Sequence, residues 1–340
     1  MTDQSDPFTV AIVGFGWWGK HIAERLGDHA TIRVRGIVEP NPSRDDAIVA
    51  MGLKRFSKIS DATSLDELDG VILATPHALH EEQVILCANS GKHVFCEKPL
   101  GLTAASARRS VAACQRADVQ LGVGHERRFE PAMQSLRAAI DSGELGTIMH
   151  AETTFSHDRL AHIPKDDWRT TGAVSPAAGM TATGVHLTDL LISFFGRVET
   201  VQAMTASRSL GWETGDVVAA LLGFEAGMTA NLSAILHTPN FIRMHVFGSE
   251  KWIEVLNDFH PDIPGGVARY LTHETGQPIA QKNFEWADTV IANLEAFVRA
   301  AQGSAVYPFS SEELVHNIEV LEAITISAES RRTVLVKDMR

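Results

Sequence analysis

The sequence has few cysteines and no long hydrophobic run. Its 340 residues include three cysteines, Cys87, Cys96 and Cys114, which form no C-x-x-C pair. This pattern argues against a disulfide framework and favours a reducing cytoplasm. No stretch approaches the ~20 apolar residues of a membrane helix, and the polar start MTDQSDPF lacks the basic and then apolar order of a signal peptide. We therefore expect a cytoplasmic protein.

Positive charge is also in deficit. The 30 Lys and Arg residues against 42 Asp and Glu give a net charge of −12, and such a surface repels nucleic acid and anionic membranes. No set of His, Cys, Asp and Glu has the spacing of metal ligands. A length of 340 residues is long for a single core. We expect two domains and a small-molecule substrate, with no metal, nucleic acid or membrane partner.

A glycine-rich turn follows the first strand-like segment, residues 8–13. In a dinucleotide-binding G-x-G-x-x-G turn, glycines permit the tight turn, the approach of the pyrophosphate and close helix packing, while the helix N-terminus faces the phosphate. Here the turn lies between a strand pattern and a helical pattern that runs to Leu26, which is the arrangement this chemistry requires. The first candidate cofactor residues are therefore Gly14, Gly16, Trp17, Trp18 and Gly19.

An acidic residue ends the second predicted strand, 32–38. Glu39 lies 20 residues after Gly19, where a carboxylate accepts hydrogen bonds from the adenosine ribose hydroxyls. A carboxylate there repels a 2′-phosphate, so the expected cofactor is NAD. Arg44 lies close in the sequence and keeps NADP as an alternative.

Strands and helices continue to alternate as far as residue 123. Strands are predicted at 71–75, 93–96 and 120–123, with helices at 78–90 and from Thr103 to about residue 117. Ligands of open α/β sheets bind beside the carboxyl ends of the strands. The further cofactor candidates near these ends are Thr75, Pro76, His77, His80, Glu97 and Lys98.

Several segments in this order resemble the Gfo/Idh/MocA oxidoreductases, the family of glucose–fructose oxidoreductase and inositol dehydrogenase. They are GFGWWG (14–19), VEPNP (38–42), ATPHALH (74–80), GKHVFCEKPLGLT (91–103), RRFEPAM (127–133), SGELGTI (142–148) and GVHLTDLLISFFG (184–196). The resemblance implies an α/β chain with an N-terminal Rossmann dinucleotide-binding domain at 1–125. It implies a second α/β domain at 126–340, built on a large, mostly antiparallel open sheet, for substrate binding and oligomerisation; the last helices can pack back on the first domain.

The resemblance also implies an activity and an assembly. The activity is hydride transfer between a nicotinamide and a hydroxyl-bearing carbon of a sugar, polyol or other cyclic alcohol. The assembly is a homodimer or homotetramer formed through the sheet, for which strands are predicted within 198–256. Helices near 285–302 and 311–330 are expected to complete the chain.

Lys98 is the first catalytic candidate. Oxidising an alcohol removes a hydride from carbon and a proton from oxygen, so the protein must supply a base and a donor beside the developing carbonyl. A partly desolvated lysine near the nicotinamide suits both tasks. Pro99 keeps Lys98 extended, and the resemblance places Glu97 on the cofactor side. Without the glycine turn and the family resemblance, a Glu-Lys pair at a strand end would be interpreted as a surface ion pair.

The family pattern D-x-G-x-H is altered in this chain. Residues 182–186 read Ala-Thr-Gly-Val-His, so His186 is present and Ala182 replaces the acid. By the resemblance, this His contacts substrate and takes part in proton transfer. Without the acid, Lys98 and His186 are the acid/base candidates, with Thr181 or Thr183 as a hydroxyl relay. Met180-Thr181 matches the M-T-x-x-G-x-H form of relatives that act on dihydrodiols or other unusual substrates.

The remaining substrate candidates lie outside these motifs. His125 and Arg128 follow the strand 120–123, and the polar stretch 157–169 contributes Arg159 or Arg169. An arginine suits a carboxylate or a group of hydroxyls. Asp189, on the predicted helix 180–195, is expected to cap or pair. With His186 and Thr183, these residues complete the substrate set.

Three functions are compatible with these residues. The leading one is an NAD(P)-dependent dehydrogenase or reductase. The second is a glycoside-cleaving enzyme that uses NAD for transient oxidation of a ring carbon. The third is a non-catalytic, dinucleotide-binding regulator of the same fold, which Ala182 favours and which Lys98 and His186 argue against.

Overall fold

The computed structural model describes residues 6–339, and they divide into two compact units. The first unit contains residues 6–101, 105–124 and 290–314; the second contains 102–104, 125–289 and 315–339. Each unit is therefore discontinuous along the chain, and segment 290–314 belongs to the first. The functional division into 1–125 and 126–340 stays a prediction.

The first unit is built on a six-stranded sheet. Its strands are β1 (Phe8–Val13), β2 (Ile32–Val38), β3 (Lys54–Phe56), β4 (Gly70–Leu73), β5 (His93–Cys96) and β6 (Leu121–Val123). They pair in parallel in the order β3-β2-β1-β4-β5-β6. Every residue of β4 and nearly every residue of β1 is buried, because helices cover both faces of a parallel sheet. This strand order is that of the Rossmann fold, as the sequence predicted.

The second unit is built on a nine-stranded sheet. Its strands are β7 (Ile148–Ser156), β8 (Val198–Ala206), β9 (Val217–Phe224), β10 (Thr229–Ile235), β11 (Phe241–Gly248), β12 (Lys251–Asn257), β13 (Val267–Glu274), β14 (Ala280–Glu285) and β15 (Val334–Leu335). The order is β14-β13-β12-β11-β7-β10-β9-β8-β15. Only the pairing of β7 with β10 is parallel among the described strands of this sheet, so the predicted, mostly antiparallel sheet is confirmed.

Side chains of this sheet alternate between a buried and a more exposed face. In β9 and β10 every second residue is buried, the pattern of a sheet covered on one side. One face of the sheet is therefore buried, and the other face is left partly exposed. The exposed face does carry apolar side chains, among them Met204 (71% exposed) and Leu221 (45%).

The α-helices are, in chain order, α1 (Trp17–Arg25), α2 (Asp45–Ala50), α3 (Ile59–Thr63), α4 (His80–Asn89), α5 (Ala104–Arg116), α6 (Pro131–Asp141), α7 (Gly184–Phe195), α8 (Thr289–Ala301) and α9 (Ser311–Ser330). Two starts differ from the sequence prediction. A separate 3-10 turn, Ala178–Met180, precedes α7, and α8 begins at Thr289 because β14 occupies 280–285. Within residues 6–339, no helix has the length and hydropathy to cross a bilayer.

Candidate active site

The glycine turn after β1 has the backbone that its sequence predicts. Gly14 has φ +94°, in the left-handed region that favours glycine, and a Cβ there would lie 2.6 Å from the carbonyl oxygen of Ala74. A Cβ at Gly19 would overlap the carbonyl oxygen of Gly14. The two positions hold the turn against β4 and against α1, and any larger residue would force them apart.

Gly16 differs from the other two glycines because nothing lies within 4 Å of a Cβ built on it. It is the N-cap residue of α1 and provides no side-chain cap. A side chain here would fill open space directly in front of a helix N-terminus, where backbone N–H groups and the helix dipole favour an anion. The turn therefore fits the pyrophosphate of a dinucleotide. NAD, when bound, supplies the acceptor or donor of a hydride.

Glu39 at the end of β2 is held against this turn. Its Oε2 accepts a hydrogen bond from the backbone N–H of Phe15 at 3.1 Å, and its Oε1 accepts one from the N–H of Asn41 at 2.9 Å. The carboxylate is thus fixed beside the glycine turn by two backbone donors. This is the placement that a ribose-binding carboxylate requires.

The aromatic candidates of this region form close ring pairs. Trp17 is 62% exposed, and its ring centroid lies 5.2 Å from that of Trp18. His77, in a 3-10 turn after β4, lies 5.8 Å from His80, ring to ring. Trp17 is therefore the ring of this group that a ligand at the turn could reach.

His80 is fully buried at the start of α4 and connects two backbone segments. One ring nitrogen, Nδ1, lies 2.8 Å from the carbonyl oxygen of Pro99, and Nε2 lies 2.9 Å from that of Thr75. Burial lowers the pKa of the His80 imidazole, against the opposing effect of these carbonyls. The ring therefore ties the segment after β4 to the segment after β5.

The segment after β5 begins with a buried carboxyl group and a lysine. Burial raises the pKa of Glu97 to about 7, while the Trp18 indole and the Lys98 ammonium oppose that rise. Gly124 makes room for this carboxyl group, because a Cβ there would lie 2.5 to 2.7 Å from its atoms. Lys98 itself is half-buried, and its peptide bond to Pro99 is cis.

In the second unit, His186 lies in the first turn of α7 and is 4% exposed. The ring of His125 packs edge-to-face against it, with centroids 5.5 Å apart. Phe155 of β7 lies 6.0 Å from it, ring to ring. A carboxylate oxygen of Glu126, Oε2, lies 3.8 Å from His186 Nδ1. The predicted residues His125 and His186 are thus neighbours, and an unpredicted carboxylate lies beside them.

Arg128 forms a buried, two-pronged ion pair with Asp189. Its Nε and Nη2 donate to the two carboxylate oxygens at 2.8 and 2.7 Å, and the side chains are 10% and 2% exposed. The pair joins the 3-10 turn Glu126–Phe129 to α7. The expectation that Asp189 pairs agrees with this geometry.

The other substrate candidates of the second unit have local partners. Arg169 bonds to Asp167 at 3.1 Å and lies over the ring of Trp168. Arg159 bonds to Asp262 at 2.7 Å. Thr183, 2% exposed, donates from Oγ1 to the carbonyl oxygen of Gly179.

Two residues near His186 were not predicted from the sequence. Glu126 stands between two predicted residues, His125 and Arg128, directly after a buried strand, and a scan for polar residues at strand ends could have found it. Asn317 lies within α9, where its Nδ2 contacts His125 Nε2 at 3.1 Å and donates to the carbonyl oxygen of Val185 at 3.2 Å. Nothing in the sequence signals the contacts of Asn317, because the one with Val185 joins positions 132 residues apart.

Comparisons with known proteins match both parts of the chain. A family model described as "Oxidoreductase family, NAD-binding Rossmann fold" matches residues 8–125, and one described as "GFO/IDH/MocA C-terminal domain" matches 133–254. The rhizopine catabolism protein MocA of Rhizobium meliloti is 26% identical over 324 residues, 94% of each chain. The trans-1,2-dihydrobenzene-1,2-diol dehydrogenase of Mus musculus is 30% identical over 278 residues, 79% of this chain and 80% of that one.

A solved structure agrees in fold. The aldose-aldose oxidoreductase from Caulobacter crescentus, complexed with glycerol, superposes with a TM-score of 0.86 at 22% identity, covering 97% of this chain and 100% of the other. At that identity the likeness concerns the fold alone.

Proposed function

The chain belongs to the Gfo/Idh/MocA family of oxidoreductases, and on that premise we propose that it oxidises a hydroxyl-bearing carbon of a cyclic alcohol, sugar or polyol-like substrate, with Lys98 and His186 as acid/base groups. It is an NAD(P)-dependent oxidoreductase. The relatives include a dehydrogenase of a ring dihydrodiol, which supports a ring-bearing vicinal diol among the substrates to be tried.

One observation carries the proposal most strongly: Lys98 is the second residue after β5 and stands next to the buried carboxyl group of Glu97. In the sheet order β1-β4-β5, the end of β5 lies two strands from the glycine turn. Ligands of parallel sheets bind at this edge. An amine there suits the oxygen of a reacting alcohol, because it can donate a hydrogen bond to the developing carbonyl and exchange a proton with the hydroxyl.

His186 supplies the second titratable group. Its ring is buried, and Nδ1 lies 3.8 Å from Oε2 of Glu126. An imidazole is the side chain whose ordinary protonation range lies nearest neutral pH. We assign it to proton transfer with substrate, and assign substrate contact to His125 and Thr183 beside it.

NAD is proposed as the preferred form of the cofactor. The carboxylate of Glu39 is fixed beside the glycine turn by the N–H groups of Phe15 and Asn41. A fixed negative charge that accepts hydrogen bonds suits ribose hydroxyls and repels a 2′-phosphate.

The test is a substrate screen of the purified chain with NAD. Sugars, inositols, sugar acids and aromatic dihydrodiols are scored for NADH formation, and the best substrate is then given to Lys98→Ala and His186→Asn. We expect each variant to lose about 10² to 10⁴-fold in kcat. Lys282→Ala, at an exposed position of β14, is the matched control and should keep full activity.

Other outcomes would redirect the proposal. Release of a sugar from a glycoside without net NADH would favour the glycoside-cleaving alternative. Full turnover by Lys98→Ala would remove that residue from the mechanism.

We also propose that the exposed face of the nine-stranded sheet pairs with a second copy of the chain. Met204 and Leu221 lie on this face with Trp252 and Phe247, while the opposite face is buried. An apolar patch of this kind on an otherwise acidic chain favours association. A homodimer or homotetramer through the sheet is the expected assembly.

A further inference from the structure

We propose that Glu126 is the carboxylate partner of His186, a positioning residue that sets the orientation of the imidazole and stabilises its charged form. The inference rests on the proposed role of His186 in proton transfer. It concerns a residue that lies outside the D-x-G-x-H pattern, in a chain where Ala182 cannot supply a charge.

The distance and burial of the pair support this role. Glu126 Oε2 lies 3.8 Å from His186 Nδ1, and the two side chains are 16% and 5% exposed. Water screens opposite charges at such a site far less than it does at a surface. A carboxylate at this distance therefore favours the imidazolium over the neutral ring.

A buried brace holds the two residues opposite each other. Arg128 donates hydrogen bonds of 2.8 and 2.7 Å to the carboxylate of Asp189. Arg128 lies two residues after Glu126, and Asp189 lies three residues after His186. Because the brace involves the same turn and the same helix as the pair, it sets the register between them. The pair is therefore built into the unit and does not depend on two mobile side chains meeting.

The remaining neighbours do not compete for this role. The ring of His125 packs against His186 edge-to-face, and Asn317 Nδ2 lies 3.1 Å from Nε2 of His125. The Asn317 Nδ2 group also donates to the Val185 carbonyl oxygen, which identifies it as the amide nitrogen. His125 Nε2 is then an acceptor, so its neutral ring carries the proton on Nδ1. The charge of Asp189 is matched by Arg128, whereas the Glu126 carboxylate lies 3.8 Å from the His186 ring.

The proton movement follows from the geometry. With Nδ1 facing Glu126, we assign proton transfer with substrate to the opposite nitrogen, Nε2. Bound NAD would accept the hydride of the alcohol carbon, and the hydroxyl proton would then pass to Nε2 as the carbonyl forms. The positive charge created on the ring is stabilised by the Glu126 carboxylate, which itself takes no proton in this step.

The first test is a titration that needs neither substrate nor cofactor. The ring Cε1 signal of His186, assigned by its loss in His186→Asn, is followed by NMR against pH in the wild-type chain and in Glu126→Gln. We expect the midpoint to fall by about one pH unit in the variant, because the ring loses the charge that favoured its protonated form. An unchanged midpoint would overturn the inference, whatever the activity does.

Kinetics provides the second test. In Glu126→Gln we expect kcat to fall about 10 to 100-fold with KM within about twofold, and the acid limb of the kcat profile to move to lower pH. Glu126→Asp should retain part of the activity. Glu225→Gln, which removes an exposed carboxylate paired with Arg197, is the control and should behave as wild type.

A rescue experiment separates positioning from simple damage. In Glu126→Gln combined with Ala182→Asp, a carboxylate is returned from the neighbouring turn, and we expect at least a tenfold recovery of kcat. A Glu126→Gln chain that loses kcat while both its NMR midpoint and its pH profile match wild type would show a structural role and contradict the inference. If His186→Asn retains turnover, the proposed function fails at His186, whereas the NMR titration still decides whether the two residues are coupled.

Discussion

His80 Nδ1 lies 2.8 Å from the carbonyl oxygen of Pro99, the residue that follows Lys98. The other ring nitrogen lies 2.9 Å from the carbonyl oxygen of Thr75. Carbonyl oxygens only accept, so a neutral ring donates to one of them at a time. The ring lies between the segments that contain Thr75 and Pro99 and contacts a carbonyl oxygen of each. Because it is completely buried, it helps to fix the backbone next to Lys98.

Replacing His80 should lower the free energy of unfolding and make it depend less on pH. We expect His80→Ala to lower the free energy of unfolding by about 2 to 4 kcal/mol, since it leaves a cavity and unpaired carbonyls. Burial lowers the pKa of His80 in the folded chain. As the pH falls through about 6.5, this histidine therefore binds a proton in the unfolded chain before it does so in the folded chain, and the stability that His80 contributes is lost. Urea unfolding at pH 7.5 and 5.5 would show a smaller pH difference for the variant. His162→Ala, at an exposed position, should match wild type at both pH values.

Glu97 should make the free energy of unfolding depend on pH in the direction opposite to that of His80. Burial raises the folded-state pKa of Glu97 to about 7 from an ordinary value of 4.5, so between these pH values the folded chain holds a proton that the unfolded chain has lost. Stability from this group therefore falls as pH rises from about 4.5 to 7. Glu97→Gln should increase the free energy of unfolding at pH 8 by about 2 to 3 kcal/mol, measured by urea unfolding. No gain at pH 8, or a gain equally large at pH 4.5, would contradict this.

Breaking the Arg128–Asp189 pair should be costly. Asp189→Asn leaves the Arg128 guanidinium buried against a neutral group, and we expect a loss of about 3 to 5 kcal/mol in the free energy of unfolding. Arg137 and Asp141 offer a matched comparison, since they form an exposed i,i+4 pair; Asp141→Asn should cost less than about 0.5 kcal/mol. Equal losses in the two variants would show that burial of the first pair is unimportant.

Removing the charge of Glu39 should change cofactor preference. In Glu39→Gln an oxygen acceptor remains for a backbone N–H, but the repulsion of a 2′-phosphate is lost, so we expect NADPH to bind about tenfold more tightly relative to NADH. The measurement is the Kd of each cofactor by fluorescence titration. Glu67→Gln, an exposed carboxylate paired with Arg35, should leave the ratio unchanged. A ratio that does not move in Glu39→Gln would separate this residue from cofactor choice.

A charge on the exposed sheet face should weaken self-association. Leu221 of β9 lies on this face at 45% exposure, and Leu221→Asp would bury a carboxylate in the proposed interface. We expect sedimentation velocity to show a smaller species than wild type at the same concentration. Asn231→Asp adds the same charge on neighbouring β10, opposite Leu221, and should have a similar effect. A wild-type chain that sediments as a monomer at all concentrations would rule out the assembly.

The sequence predicted the parts of the molecule that follow from local pattern. The glycine turn, the Glu39 position and five of the six strands of the first unit are each encoded within about 30 residues, because turn geometry and hydrophobic periodicity act locally; the short strand β3 was not predicted. It predicted less well where elements meet end to end: the helix predicted near 285–302 begins at Thr289, after β14, and α7 begins later than expected. Element boundaries are hard to predict from local pattern because the packing of the neighbouring elements fixes them.

The sequence by itself determined that this chain has a Rossmann dinucleotide fold, with Lys98 at the end of a central strand and a histidine without its usual acid. Only the tertiary structure decided which groups surround that histidine. Glu126 lies 60 residues before it and reaches it in space, while Asn317, 131 residues after it, contacts the neighbouring His125 and Val185; no local pattern encodes either contact. The physical reason is that a charge acts through distance in space and through burial, and both are fixed when the elements pack.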